Sequence, residues 1–510
     1  MKKFFGIIFS RLLYTLLFVA VQGAALYFVL RFFETRFVWF YAAGVLLSVL
    51  TGLHVISSGM NPAYKIAWLV PILLLPIFGG LMYLMFGTVR TSAGERRRMQ
   101  VIGARYRAAM APHAPELEAL AAADPDAGLH ARYLTHMAGC APWRATATRY
   151  LPLGEDYFAA MTAQLRQAKK FIFLEYFIIE EGRMWDEILA ILEEKVRQGV
   201  DVRVLYDDLG CLFTLPRRYD RTLARRGIRT CVFHRFNSIL NSRFNTRDHR
   251  KICVVDGDVG FTGGVNLADE YINAVVKHGH WKDTGIELRG QAVFGLTTMF
   301  LSVWDYLSGD EDDFAAFAPS AAAAATPDDG AVLPYTDTPF DDEPVGETVY
   351  MNLINRARRY VWITTPYLII DNEMMTALRT AARAGVDVRI ITPGIADKKA
   401  VKMLTRSHYE PLLRAGVRIF EYTPGFIHAK TFVCDDRYAV VGTINLDYRS
   451  LYLHYEDAVW MAGSSAVAAV RDDYLATLPR CHEVTPDEAK TKNAFARLGL
   501  AVLRAFAPLM

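Results

Sequence analysis

The chain has 510 residues, 57 Lys+Arg against 54 Asp+Glu, and a formal net charge of +3. With 52% apolar and 22% charged residues it is neither disordered nor of low complexity. A compact domain usually takes about 100–200 residues, so this length predicts two sizeable domains with a further segment in front. Near-neutral charge argues against a general nucleic-acid binder. The six cysteines, Cys140, Cys211, Cys231, Cys253, Cys434 and Cys481, are scattered and form no CxxC pair. They read as inert thiols in a reducing compartment, not as a disulfide scaffold.

Three stretches near the N-terminus, residues 12–30, 37–58 and 66–89, contain no Asp, Glu, Lys or Arg. A helix needs about 20 apolar residues to cross roughly 30 Å of hydrocarbon, so two or three transmembrane helices are expected over residues 1–90. A cleaved signal peptide, with an apolar core of about 7–15 residues, does not account for three such stretches. The third carries Pro71, Pro76, Gly79 and Gly80, which a membrane helix tolerates. Lys2, Lys3, Arg11 and Lys65 fall on one side. Arg31, Arg36, Arg90, Arg96, Arg97 and Arg98 fall on the other, with the bulk of the chain, and the positive-inside tendency puts that side in the cytoplasm.

After a charged, Ala-rich stretch at 91–145, expected to be a juxtamembrane linker, the chain repeats itself. "KKFIFLEYFIIEEGRMWDEILAILEEKVRQGVDVRVLYDDLG" in one half answers "RRYVWITTPYLIIDNEMMTALRTAARAGVDVRIITPG" in the other. Each reads as a β-rich run, a helix with apolar residues at three-to-four spacing, and a second strand led by GVDVR, at 199–203 and 385–389. That is the crossover unit of a parallel or mixed sheet. Residues 309–330, acidic then Ala-rich, read as the connection between the halves.

The chemistry sits where the repeats agree best. "HRKICVVDGDVGFTGGVNLADEY" contains His249, Lys251 and Asp256; "HAKTFVCDDRYAVVGTINLDYRS" contains His428, Lys430 and Asp435. Both are H-x-K-x-x-x-x-D, and each is followed by an Asn seventeen residues after the His, Asn266 and Asn445. On an extended strand residues i and i+2 share a face, so each His points with its Lys. Two such imidazoles across a pseudo-two-fold cleft suit phosphoryl or phosphatidyl transfer: one attacks phosphorus, the other moves the proton of the alcohol. Lys251, Lys430, Asn266 and Asn445 are the candidates to hold the phosphate oxygens, with no metal and no cofactor.

These paired motifs resemble the phospholipase D superfamily. With the N-terminal apolar block they resemble its bacterial cardiolipin synthase family, over about residues 60–510. Further marks are "NPAYKIAWLVPILLLPIFGGLMYLMFG", "LEYFI", "NTRDHRK", "TPYL" and "GTINLDYRSLYLHYE". The resemblance implies an α/β fold of two similar α/β/α domains with pseudo-two-fold symmetry behind N-terminal transmembrane helices. It makes His249 the nucleophile and His428 the acid/base, with Lys251 and Lys430 in the catalytic motifs and Asp256 and Asp435 mainly holding them. It also implies that Glu456 orients the second histidine, His428, and Asp283 is chosen as the counterpart for the first. His454 stands where the family usually has Asn in N-x-E, and residues 1–36 go beyond its two-span pattern.

The expected domains are 146–308 and 331–486, with a C-terminal amphipathic segment at 487–510. On a helical wheel over 490–506, Phe495, Leu498, Val502 and Phe506 share one sector. That stripe either lies on a membrane surface or packs on the catalytic domain. Arg96–Arg98 could meet anionic headgroups or be simply solvated, and Glu175 and Tyr176 either shape the cleft or pack in the sheet. The expected partners are phosphatidylglycerol and the bacterial cell membrane (the inner one where there are two), not nucleic acid. The oligomeric state is open. The expected activity is transfer of phosphatidyl between two phosphatidylglycerols; a hydrolytic phospholipase D and a nucleic-acid phosphodiesterase are the alternatives.

Overall fold

The computed structural model describes residues 17–28, 35–87, 93–111, 114–235, 245–339, 343–491 and 493–509. The chain divides into two compact units: residues 1–90 with 236–245 and 501–510, and residues 91–235 with 246–500.

In the first unit the apolar stretches become α1 (Leu17–Phe28), α2 (Thr35–Ser57), α3 (Pro62–Leu74) and α4 (Pro76–Phe86). Among the described residues one segment, Val38–Ser57 within α2, is long and apolar enough to cross a membrane. Residues 12–16 and 29–30 of the first stretch lie outside the described residues. The third stretch, expected as one helix, is two short ones meeting at Leu75. Pro76 has no N–H to give the Ile72 carbonyl four residues back. Ser48 of α2 supplies the donor instead, its Oγ lying 3.1 Å from Ile72 O and 2.5 Å from Pro76 O. Val55, Trp68, Ile72 and Tyr83 form a small buried core here.

The second unit holds two large sheets. The first is built from β1 (Thr146–Leu151), β2 (Phe171–Tyr176), β3 (Asp201–Asp207), β4 (Arg229–Phe233), β5 (Lys251–Val255), β6 (Val259–Gly263) and β8 (Gly285–Gly290), while β7 (His280–Lys282) stands apart. The second takes β9 (Ala331–Asp337), β10 (Tyr360–Thr364), β12 (Asp387–Pro393), β13 (Arg418–Tyr422), β15 (Thr431–Cys434), β16 (Tyr438–Gly442), β18 (Glu456–Ala462) and β19 (Cys481–Glu483). β11 (Leu368–Ile369) pairs with β17 (Leu446–Asp447), and β14 (Gly425–Ile427) pairs with β7.

The spatial orders are β1-β8-β6-β5-β2-β3-β4 and β9-β18-β16-β15-β10-β12-β13, the latter with β19 added at its edge. In each the crossover strands are parallel and the rest antiparallel. The duplicated sequence is therefore a duplicated α/β fold. Both GVDVR strings begin with a glycine at positive φ, Gly199 at 84° and Gly385 at 93°. That backbone, costly for other residues, turns the chain from helix into strand.

Helices cover both faces of each sheet. The outer faces carry two separate cores, and the inner faces share one with the helices Val293–Ser308 and Ser465–Thr477. The stretch at 91–145 is not a linker in the structure. It folds into Ala93–Met110, Ala114–Ala123 and Pro125–Met137, which place Tyr106 and Met110 in the shared core and Leu117, Leu120 and Leu134 in an outer one. Arg98 is committed there too, donating to the Asp305 carbonyl at 2.9 Å. The C-terminal helix starts at Ala494, not 490, because Asn493 Oδ1 accepts from the Phe495 and Ala496 amides. Phe495, Leu498 and Val502 on it are exposed.

Candidate active site

Lys251 opens β5, and His249 lies two residues before it; Lys430 is the residue immediately before β15, and His428 lies two residues before Lys430. All four are buried. The lysines behave alike. Lys251 Nζ donates to the His249 carbonyl at 2.6 Å, and Lys430 Nζ donates to the His428 carbonyl while lying 2.8 and 2.9 Å from that ring's nitrogens.

Each imidazole meets a buried carboxylate, and the pairs cross between the halves. His249 Nδ1 is 2.9 Å from both oxygens of Glu456, and His428 Nδ1 is 2.7 Å from Asp283 Oδ2. The expected pairing, Glu456 with His428 and Asp283 with His249, is thus exchanged. Backbone pairing explains why. Asp248 and Tyr455 form a parallel bridge, with His249 N donating to Tyr455 O at 2.9 Å; the residue after Tyr455 is Glu456. β7 and β14 run parallel with Lys282 opposite Ile427, and His428 N donates to Lys282 O at 2.7 Å; the next residues are Asp283 and His428. In-register pairing of one half with the other sets imidazole beside carboxylate twice. An ionised carboxylate only accepts, so each Nδ1 carries the proton and each Nε2 keeps its lone pair.

Two positions beside the carboxylates escaped the sequence reading. Thr443 Oγ1 donates to Glu456 Oε2 at 2.5 Å. Its equivalent in the first half is Gly264, where a Cβ would lie 2.0 Å from Asp283 Oδ1. The G-versus-T difference between the aligned GGVNL and GTINL was the available signal.

Electrostatics keeps both imidazoles neutral in the free site. Burial, then Lys251 and Lys430, hold His249 well below its ordinary 6.5. Burial and Lys430 bring His428 to about 4 despite the opposing pull of Asp283. Burial also lowers Lys251 to about 8 and Lys430 to about 7, with carboxylates opposing in both cases. A bound phosphodiester carries the negative charge that moves all four back up.

The remaining expected residues divide. Asp256 accepts from the amides of Lys169, Lys170 and Phe171, and Asp435 from those of Arg358, Arg359 and Tyr360. Both fasten the start of a neighbouring strand away from the histidines. Asn266 Nδ2 donates to Tyr271 Oη at 2.7 Å, and Asn445 Nδ2 to Ser450 Oγ at 3.0 Å, so those donors brace the cleft wall. Tyr176 packs in the core, its hydroxyl 2.9 Å from that of Tyr157. Glu175 forms a buried ion pair with Arg250, 2.7 Å apart, on the face of the strand opposite His249. Aromatic rings wall the imidazoles: Phe177 and His454 lie 5.0 and 5.6 Å from His249, Tyr271 and Trp281 each 5.5 Å from His428.

Two H-x-K motifs on matching sheets, each histidine held by a carboxylate of the other half, define a phospholipase D-like protein. The comparisons agree: the family described as "Cardiolipin synthase, PLD-like domain" matches residues 161–276 and 350–477, and "Phospholipase_D-nuclease N-terminal" matches 38–87. The chain is 43% identical to an uncharacterized protein of Streptococcus mutans, over 90% of this chain and 99% of that one. It is 32% identical to a cardiolipin synthase of Geobacillus kaustophilus, over 96% and 98%. A crystal structure of phosphatidylserine synthase from Haemophilus influenzae shares the fold, with a TM-score of 0.56 at 17% identity over 74% of this chain and 97% of that one. The chain belongs to the cardiolipin synthase family.

Proposed function

We propose that this protein joins two phosphatidylglycerol molecules into cardiolipin and glycerol. As a member of its family it is a phosphatidyltransferase. The observation that carries the finer reading is the crossed pairing: each histidine takes its carboxylate from the other half, which makes one site from two motifs.

His249 Nε2 attacks phosphorus of the first lipid, and the phosphorus–oxygen bond to the headgroup glycerol breaks. His428, protonated once the phosphodiester is bound, gives its proton to the departing oxygen. The headgroup hydroxyl of the second lipid then returns a proton to His428 as its oxygen attacks the phosphohistidine, forming cardiolipin and freeing His249. Lys251 and Lys430, turning from the carbonyls they now hold, neutralise charge on the non-bridging oxygens. Glu456 and Asp283 act as positioning residues that fix the tautomers. One phosphodiester replaces another of similar energy, so no nucleotide is consumed, and the protein groups supply the charge a metal would bring.

The same reading makes the protein a multi-pass component of the bacterial cell membrane, the inner one where there are two. Its catalytic unit faces the cytoplasm, supported by the span Val38–Ser57 and the arginine bias toward residues 90–98. The test is purified full-length protein with radiolabelled phosphatidylglycerol, lipids separated, and excess EDTA present. Cardiolipin with equimolar glycerol supports the reading; phosphatidic acid as the main product makes the protein a hydrolase. His249→Ala and His428→Ala should each remove nearly all activity, whereas half activity in either would mean two independent sites.

A further inference from the structure

His454 has no role in the transfer just described, yet it is nine-tenths buried and neither ring nitrogen has a hydrogen-bond partner. Its Nδ1 is 3.8 Å from Glu456 Oε1, too long for a hydrogen bond. Its place follows from register. His454 precedes Glu456 by two residues, as Trp281 precedes Asp283, so each shares a face with its carboxylate and packs on that carboxylate's histidine. The two imidazole–carboxylate pairs are alike except here, where one neighbour is an indole and the other an imidazole.

We infer that His249, His454 and Glu456 form a zinc-binding site that switches the enzyme off. Among the described residues this is the one group of three metal-competent side chains, each offering a donor atom within 4.8 Å of the others. A tetrahedral zinc with bonds of about 2.0–2.1 Å sets its ligands roughly 3.4 Å apart. The separations of 2.9 Å from His249 Nδ1 to Glu456 and 3.8 Å from His454 Nδ1 to Glu456 bracket that value, and all three donor atoms lie within 4.8 Å of one another, so the side chains have to draw together around the ion. Two nitrogens and one carboxylate oxygen suit zinc and not magnesium or calcium. The ammonium groups of Lys251 and Lys430 oppose a cation here, which makes the site weaker than a structural zinc centre.

The effect on turnover rests on the role proposed for His249. Zinc on Nδ1 displaces the proton now held toward Glu456, and the neutral ring keeps that proton on Nε2 instead. The lone pair that attacks phosphorus is gone, with no bond made or broken beyond this tautomer shift and the metal–ligand bonds. The second pair cannot be inhibited this way, because an indole at Trp281 offers no ligand.

Zinc binding to the detergent-solubilised full-length protein, followed by competition with a chromophoric chelator, tests the site without reference to activity. The expected result is one zinc per chain with a Kd of about 10 µM or tighter, no competition from magnesium, and at least tenfold weaker binding by His454→Phe. His454→Asn serves as a second variant, and melting curves establish that each is folded. In lipid assays zinc should inhibit the wild type reversibly, EDTA should restore it, and both variants should resist. Absence of binding to the wild type, or equal binding by folded variants, overturns the proposal. Binding that depends on His454 without inhibition keeps the metal site and discards the role given to His249.

Discussion

His249 and Glu456 are 207 residues apart in sequence, yet Nδ1 of the one stands 2.9 Å from both carboxylate oxygens of the other. The contact is made by backbone. The bridge between Asp248 and Tyr455 delivers the next residue of each strand to the same spot, and the pairing of β7 with β14 repeats the device for Asp283 and His428. A half of this protein folded alone would have an imidazole without its carboxylate.

The crossed pairs can be separated by experiment. Glu456→Gln should remove the downfield Nδ1 proton resonance of His249 and leave that of His428, and Asp283→Asn should do the reverse. Each should lower kcat by about 10³–10⁴-fold, the size of effect seen when a carboxylate that fixes a catalytic tautomer is lost. Loss of the His428 resonance in Glu456→Gln would contradict the pairing.

The lysines predict an alkaline limit. Burial lowers Lys430 to about 7 and Lys251 to about 8, so raising the pH through that range strips charge from the free site. The expected outcome is a kcat/KM that falls above about pH 7, read in that parameter because it reports the free enzyme. Lys430→Arg stays charged and should move the fall upward by about one unit, to the range where Lys251 loses its proton, even if its bulkier fork lowers the plateau. An unchanged alkaline limb would exclude Lys430 as its origin.

Ser48 holds the helix break of the first unit. Ser48→Ala leaves the Ile72 and Pro76 carbonyls without that donor, at a cost of about 1–2 kcal/mol. The midpoint of thermal unfolding in detergent should drop accordingly. Ser48→Thr, which keeps the hydroxyl, should retain most of the stability.

The exposed stripe of the C-terminal helix predicts a membrane-surface role. Phe495 is 86% and Leu498 65% exposed, so neither supports a core. The pair Phe495→Asp, Leu498→Asp should leave the melting temperature alone. It should also leave activity on detergent-dispersed lipid intact and lower activity on vesicles several-fold. Unchanged vesicle activity would remove the helix from the account.

The sequence by itself determined the two-fold design. Period-two spacing put His249 with Lys251 and His428 with Lys430, and the repeated GVDVR strings marked equivalent strands, because both signals are local and survive in any fold that keeps the strands. The tertiary structure alone decided the partners. Glu456 lies 28 residues after His428 and 207 after His249, and nothing in either spacing says which imidazole it serves. The bridge between halves makes that choice, as it makes His454 the neighbour of His249. Likewise, Pro71 and Pro76 announced an irregularity, but the break at Leu75 became tolerable only through a hydroxyl from another helix. Residues 91–145 lack a continuous apolar stripe, and their helices gained a core only from the sheets beneath them. Local pattern fixes which way a side chain points; what it meets depends on chain segments far away in sequence, brought there by burial and backbone pairing.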